Sequence, residues 1–504
     1  MNIQLQLHTD IQPPTEALII PVWQGDKLNL HLGHIAEKFE VGFHYLQNDF
    51  KADLKEILSF YLPANNGALQ KVYLLGMGHQ PGTMTILKVF RHFFFHNKTR
   101  LPHYTGIDLT SHLQSLTMTS FEAVVNGALL GSYDLNLYKT EKTDRYNFFF
   151  EKPELHFYLP KDLITTAEMA LHEGRATAET QIRIMNLGNA PSNYKTPQTL
   201  AAWAAESGAQ WGYDVKILDK AQLTEIGAHA LLAVNQGSVN PPVMIVLEYK
   251  PAQAATKQTI GLVGKGVTFD TGGISIKDSA NMHLMKSDMG GAAAVLGTIE
   301  LAARLKLPVH LIGVIPSTEN SVDGESIRPG DVIGSYAGKT IEVIDTDAEG
   351  RLILADALAY IINNHQPNIL IDLATLTGSV IGTLGYVAAG LFSTNDKLAD
   401  ALLQISEQTG EKLWRLPMWD DYKDDLKSDV ADVKNYHGKP FAGAIMGAKF
   451  LEVFTGKHPA WAHLDIAGTA FNDSEFGYQK NATAYGVRLL TAYIRSLTES
   501  AKND

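Results

Sequence analysis

Cysteine is absent from all 504 residues. That removes disulfide frameworks, thiolate metal sites, iron–sulfur clusters and cysteine nucleophiles together. Long apolar runs are missing too: no stretch reaches the roughly 18 residues that a helical membrane span requires, so none is expected. Positive charge is scarce. Lys and Arg total 42 against 54 Asp and Glu, a formal net charge of −12. This balance argues against a dedicated binder of nucleic acid or anionic membrane, so neither partner is expected. The opening MNIQLQLHTDIQPPTEALII has no basic segment followed by an apolar one. No secretory signal is therefore expected, and the expected location is the cytoplasm. No Walker A, HExxH or GxSxG sequence occurs, which sets aside the commonest ATPase, zincin and serine-hydrolase signatures. The 18 histidines are scattered, and no pair reads as ligand-spaced on one helix. A metal site would then need oxygen donors and, less usually, lysine.

What remains is a globular composition, 45% apolar. At about 150 residues per domain, the length fits two to four domains. The first 160 residues are rich in aromatics. Apolar runs at Ala17–Trp23, Val72–Leu75 and Leu155–Leu159 predict strands, and the patterns around Lys51–Tyr61 and Thr85–Phe95 predict helices. Lys88–Arg100 interleaves cations with aromatics, as a small nucleic-acid patch would. The plainer reading is an amphipathic helix with Val89, Phe90, Phe93 and Phe94 in the core. Leu163–Asn186 is rich in helix formers and predicts a long joining helix. Thr196 and Pro197 then make a good helix start. Beyond it, VMIVLEY, TIGLVG, VHLIGVIP, TIEVID and NILIDLA are apolar on both faces, as covered strands are. Gly291–Leu305 and Leu352–Asn363 predict covering helices. The expected fold class is α/β with two domains. A smaller N-terminal α/β domain spans 1–162 and a linking helix spans 163–188. A larger α/β/α domain with a mostly parallel central sheet spans 189–504.

Two segments of the larger domain carry charge inside Gly-rich or strand-end contexts, residues 263–295 and 344–358. GLVGKG follows a strand, but VTFDTGG comes next and does not start a helix, so a dinucleotide site is improbable. Asp270, Asp288, Asp347 and Glu349 each lie after a predicted strand or just before a helix. Ligands of open α/β sheets gather beyond the carboxyl ends of strands, so the four can converge. Four converging carboxylates repel and raise one another's pKa values. Divalent cations would neutralise them, and a two-metal site clamps attacking and leaving oxygens alike. Singly, each acid reads as a surface residue at a loop end. The cluster, with Lys265, Lys277 and Arg351 interspersed, reads as a site.

TDAEGRL at residues 346–352 resembles the signature of the leucyl (cytosol) aminopeptidase family. KGVTFDTGGISIK, MKSDMGGAAAV, RPGDV, DLATLTG, LPMWDDY, KSDVADVKN and WAHLDIAGTA are similar to further blocks of that family, in order, over roughly 300 residues from Asn189 to Arg488. The first 160 residues match no block. The resemblance implies a catalytic metallopeptidase domain and an aminopeptidase acting on peptides with leucine-like first residues. It implies two divalent metal ions, manganese or zinc, and a bicarbonate ion. The implied metal ligands are Lys265, Asp270, Asp288, Asp347 and Glu349, with Lys265 and Asp288 on one metal, Asp347 on the other, and Asp270 and Glu349 bridging. Lys277 is implied as the electrophile, and Arg351 as the holder of bicarbonate, the general base. The implied first-residue pocket is Met285, Thr375 and Gly378, with backbone contacts from Leu376. A homohexamer is implied as well. FAGAIMGAKFLEVF and WAHLDIAGTAF are apolar segments that suit burial against neighbouring subunits or in their own core. Asp345 stands where the family usually has Asn, Asp278 where it has Pro, and Asn481 and Ala484 where it tends to have Gly. A related dipeptidase and a DNA-binding regulator are the competing readings, and the net charge speaks against the second.

Overall fold

The fold is seen in a computed structural model, which describes residues 3–9, 15–63, 69–110, 117–141, 146–256 and 258–503. The chain divides into two compact units, Met1–Ile182 and Arg183–Asp504. The helix Ile164–Asn189 contributes to both.

The first unit is a six-stranded sheet. Its order is Gln4–His8, Glu154–Tyr158, Tyr104–Asp108, Ala17–Gln24, Leu69–His79 and Ile57–Pro63. All neighbours are parallel except the last pair. The segment Lys51–Tyr61, expected as a helix, is instead a turn followed by the strand Ile57–Pro63. ILSFYLP alternates exposed and half-buried residues, a period of two. Ala52 and Lys55 take positive φ, which no helix interior tolerates. Lys88–Arg100 falls largely on the helix Thr83–Asn97, with Val89, Phe90, Phe93 and Phe94 fully buried. That helix also corrects the reading of the histidines. His92 and His96 are spaced i, i+4 on it, and their ring centroids lie 4.3 Å apart.

The second unit holds a nine-stranded mixed sheet. Eight strands run in the order Leu413–Arg415, Ala389–Ser393, Trp461–Asp465, Ile369–Ala374, Thr259–Gly264, His310–Asn320, Val243–Tyr249 and Asp214–Leu218. Gly266–Asp270 continues alongside His310–Asn320. The four central strands run parallel, and antiparallel pairing is confined to the flanks. Their continuous apolar sequences are buried throughout, as helix-covered strands must be. Gly313 faces Val295 and Ile299 of the helix Gly290–Arg304. Its neighbours Ile312 and Val314 share a core with Ile353, Leu354 and Leu358 of the helix Glu349–His365. Successive residues of a strand face opposite ways, so the two helices cover opposite faces. Thr196 caps the helix Pro197–Trp211 through the Thr199 amide.

TIEVID, expected as a central strand, lies outside the central sheet. Ile341–Glu342 pairs with Val332–Ile333 and Val433–Lys434 in a small side sheet. The ladder stops there because the Asn435 side chain takes the amides of Ile344 and Asp345. In the two apolar C-terminal segments, Met446, Phe450, Leu451 and Trp461 pack into the core of their own unit, so these residues do not supply the neighbour-facing surface.

Candidate active site

The parallel strands end at the site. Lys265 follows Thr259–Gly264, Asp270 closes Gly266–Asp270, and Thr375 follows Ile369–Ala374. Asp288 lies between the short 3-10 turn Met282–Ser287 and the helix Gly290–Arg304. Asp347 sits in the turn that leads into the next helix, and Glu349 opens it.

Two lysines divide the four carboxylates. Lys265 Nζ lies 2.7 Å from Asp288 Oδ2 and 2.7 Å from Glu349 Oε1. It also donates to the Thr375 carbonyl at 3.1 Å. Lys277 Nζ lies 2.8 Å from Asp270 Oδ2 and pairs with Asp347 Oδ1. Oxygens of Asp270, Asp347 and Glu349 fall within 4.8 Å of one another. All five expected ligands and Lys277 are thus gathered in one cluster.

Local sequence explains the convergence. Gly272 and Gly273 both take positive φ, open to glycine at no steric cost, and turn the chain back so that the Lys277 amide bonds Thr271 O. Asp270 Oδ1 accepts from the Gly272 amide and from Asn320 Nδ2, each at 2.9 Å, which fixes its rotamer. Gly350 serves by its small size. A Cβ there would lie 2.6 Å from Lys265 Cε and 2.7 Å from its Nζ. The glycine of TDAEGRL is therefore the space that the Lys265 side chain fills.

The electrostatics are strained without a cation. Burial pushes the Asp288 carboxyl well above its ordinary value, and burial with Asp270 raises that of Glu349, Lys265 opposing in both. Burial, Asp270 and Glu349 push Asp347 up to about 7, Lys277 opposing. For both lysines burial disfavours the ammonium, but the surrounding carboxylates outweigh it and the pKa rises. Asp288 Oδ2 and Glu349 Oε1 are buried, and among the described residues the contact given for each is the shared Lys265 ammonium. Four close carboxylates that share only two ammonium groups suit a divalent cation with oxygen preference. With cations present, like charge would favour the free amine of Lys265, the form able to ligate.

Arg351, in the first turn of its helix, is 5% exposed. Its Nη1 donates to Asn435 O at 2.7 Å, and its Nε finds no partner among the described residues. Burial pulls its pKa down, while Glu349, Asp345 and Asp465 pull it up. A buried guanidinium with an unused N–H at a helix start suits a small anion.

The expected pocket residues meet unequal fates. Met285 lies on the turn Met282–Ser287, and its carbonyl accepts from the Asp288 amide. Thr375 is drawn into the carboxylate cluster, its hydroxyl donating to Asp288 Oδ1 at 2.7 Å. The Leu376 amide is engaged by Asp465 Oδ1 at 3.1 Å. Gly378 starts the helix Gly378–Leu384, capped by Thr377, and a Cβ there would meet nothing within 4 Å. Asn435, not singled out from the sequence, is fully buried. It holds the signature turn from both ends: Oδ1 accepts from Ile344 and Asp345, and Nδ2 donates to the carbonyls of Asp345 and Ala348. Its place in the KSDVADVKN block was the available signal.

A carboxylate–lysine cluster beyond the carboxyl ends of a parallel sheet, with a buried arginine at the adjoining helix start, defines a metal-assisted hydrolase. Residues 183–491 match the catalytic domain of the cytosol aminopeptidase family, and the chain belongs to that family. It is a metallo-aminopeptidase, as the family is. A "Probable cytosol aminopeptidase" of Chloroherpeton thalassium is 40% identical over 98% of this chain and 100% of its own length. One from Chlorobium luteolum is 48% identical over 74% of this chain and 75% of its own. Among solved structures, the bottromycin maturation enzyme BotP in complex with Mn is 32% identical with a TM-score of 0.81, covering 96% of this chain and 100% of BotP.

Proposed function

We propose that the chain removes N-terminal residues, leucine-like ones by preference, from peptides by hydrolysis assisted by two divalent cations. The observation that carries this reading is the cluster of four carboxylates around two lysines, with oxygens of Asp270, Asp347 and Glu349 within 4.8 Å of one another. Lys265, Asp270, Asp288, Asp347 and Glu349 would hold the cations. Manganese or zinc suits the set, and the related BotP structure with Mn supports manganese. Bound cations supply Lewis acidity and an activated nucleophile near neutral pH.

The rest falls to the chain's own groups. With Asp270 and Asp347 committed to cations, the Lys277 ammonium is left to face the scissile carbonyl and the oxyanion formed there. Its 23% side-chain exposure puts it at the open side of the cluster. The spare Nε–H of Arg351 would hold bicarbonate, which supplies a general base. Met285, Thr375, Leu376 and Gly378 would surround the first side chain of the peptide. The family name supports a cytoplasmic setting. A homohexamer rests on the family resemblance, with exposed Trp414, Trp419 and Phe441 as candidate contact residues. Light scattering that reports the single-chain mass of 55.2 kDa would refute it. The nucleic-acid reading loses its local support because the aromatics of Lys88–Arg100 are largely buried in the core.

The test is a titration of metal-depleted protein with Mn²⁺ or Zn²⁺ while leucine amide hydrolysis and bound metal are followed together. Activity is expected to plateau at two ions per chain. Full activity with one ion or none refutes the two-cation reading.

A further inference from the structure

Lys195 has no role in the chemistry above, yet its side chain is completely buried. It lies in the loop between the helices Ile164–Asn189 and Pro197–Trp211. Its Nζ donates to two carbonyls, those of Gly188 at 3.3 Å and of Lys286. Among the described residues no carboxylate pairs with it directly. A buried ammonium is costly, because the charged form loses its hydration. Burial and the nearby Lys286 pull its pKa down to about 7, with Asp288 as the opposing influence. A methionine of similar length would fill the same space without that cost. The lysine is therefore a poor choice for packing alone.

Its acceptor shows what the lysine does. Lys286 follows Met285 and lies two residues before Asp288, on the turn Met282–Ser287. That turn is half-exposed, and none of its residues is buried. It lies against the strand Gly266–Asp270 without burying a residue of its own. Few bonds tie it down. The amides of Met282 and Leu284 bond within or beside the turn, and Ser287 Oγ donates to Leu284 O at 2.7 Å. These bonds are internal and do not anchor the turn to the rest of the unit. The Lys195 ammonium joins the turn's main chain, at Lys286, to the C-terminal end of the long helix at Gly188, while the Thr375 hydroxyl holds the side chain of Asp288, just after the turn.

We infer that Lys195 is a positioning residue: from behind the turn it fixes the Lys286 carbonyl, and so sets Asp288 against Lys265 and Met285 at the mouth of the first-residue pocket. The inference rests on the proposed cation site and extends it to a residue outside the cluster. It predicts a sign that charge alone would reverse. Removing a positive charge from behind the carboxylates should by Coulomb's law tighten a dication. Removing the anchor should loosen it, because Asp288 is then less well placed.

The test compares native protein with Lys195→Met, both stripped of metal, by calorimetric titration with Mn²⁺. Native protein is titrated first, and absence of Mn²⁺ binding there would refute the proposed function itself. Lys195→Met is expected to stay folded with an unchanged or raised Tm, since an apolar side chain replaces a buried charge. Its affinity for the Mn²⁺ that Asp288 would hold is expected to fall at least tenfold, and KM for leucine amide to rise more than kcat falls. Lys195→Gln, which keeps an N–H donor without the charge, is expected to recover part of the lost affinity. Equal or tighter Mn²⁺ binding by Lys195→Met overturns the inference, and so does a loss that Lys195→Gln fails to recover. Should Lys195→Met not fold, Lys195→Leu is judged by the same change in Mn²⁺ affinity.

Discussion

Replacing Lys277 by alanine separates an electrophile from a mere counter-ion. In the cluster its ammonium lies 2.8 Å from Asp270 and pairs with Asp347, and the side chain is 23% exposed. Once cations occupy the carboxylates, a counter-ion is redundant and its loss should leave turnover near native. An electrophile is not redundant. At about 3 Å from a developing oxyanion, with an effective dielectric of about 20, the gross attraction is about 5 kcal/mol. Water entering the partly open site recovers part of it, leaving roughly 3–4 kcal/mol, or a fall of about 10²–10³ in kcat. The assay is steady-state hydrolysis of leucine amide at saturating Mn²⁺, with bound metal measured on the same samples. Metal content is expected to stay native, because Lys277 is assigned no ligand role. A variant that keeps two ions and turns over within threefold of native would refute the electrophile assignment. A variant that loses metal along with activity would show that Lys277 holds the carboxylates together.

Arg351→Ala is expected to lower kcat/KM by less than Lys277→Ala, since water can replace an anion as base, and added bicarbonate should stimulate native protein but not the variant. Glu411 is a stability probe remote from this chemistry. It is buried, accepts from the amides of Gly486 and Leu489, and burial pushes its carboxyl up to about 7. The folded state thus holds this proton more tightly than the unfolded state, so stability is lost as pH rises from about 4.5 through 7. Glu411→Gln should flatten thermal stability between pH 5 and pH 8 by roughly 3 kcal/mol, and an equally steep decline in the variant would refute this. Activity is expected to rise towards pH 8, where a free α-amine loses its proton. N-acetyl-leucine amide, which lacks that amine, should not turn over, and its efficient cleavage would exclude the aminopeptidase mechanism.

The sequence made visible what is local. Both-faces-apolar runs marked the central strands, and the helix Glu349–His365 followed from its own pattern. The carboxylates and lysines were legible because each sits at a strand end or helix start, where α/β sheets collect ligands. Misreadings came from short stretches whose fate is set elsewhere. TIEVID has the composition of a covered strand, but Asn435, about 90 residues on, takes its amides. ILSFYLP pairs with a neighbouring strand, and two positive-φ residues ahead of it bar the helix.

The least legible features are the supporting contacts. Arg351 and Asn435 are 84 positions apart, and Lys195 and Lys286 are 91. In each pair a side-chain donor meets a main-chain carbonyl. Any residue supplies that carbonyl, so the acceptor leaves no trace in the sequence. Arg351 was legible only through the motif around it, and Lys195, outside any motif, reads as one more surface cation. Only burial turns it into a signal, because a charged group removed from water must gain something there to be kept. Gly350 teaches the same lesson from the opposite side: its meaning lies in the Lys265 side chain that occupies its missing Cβ. Ligand chemistry is therefore written in residue types, whereas the precision that the chemistry needs is written in distances between residues far apart in the chain.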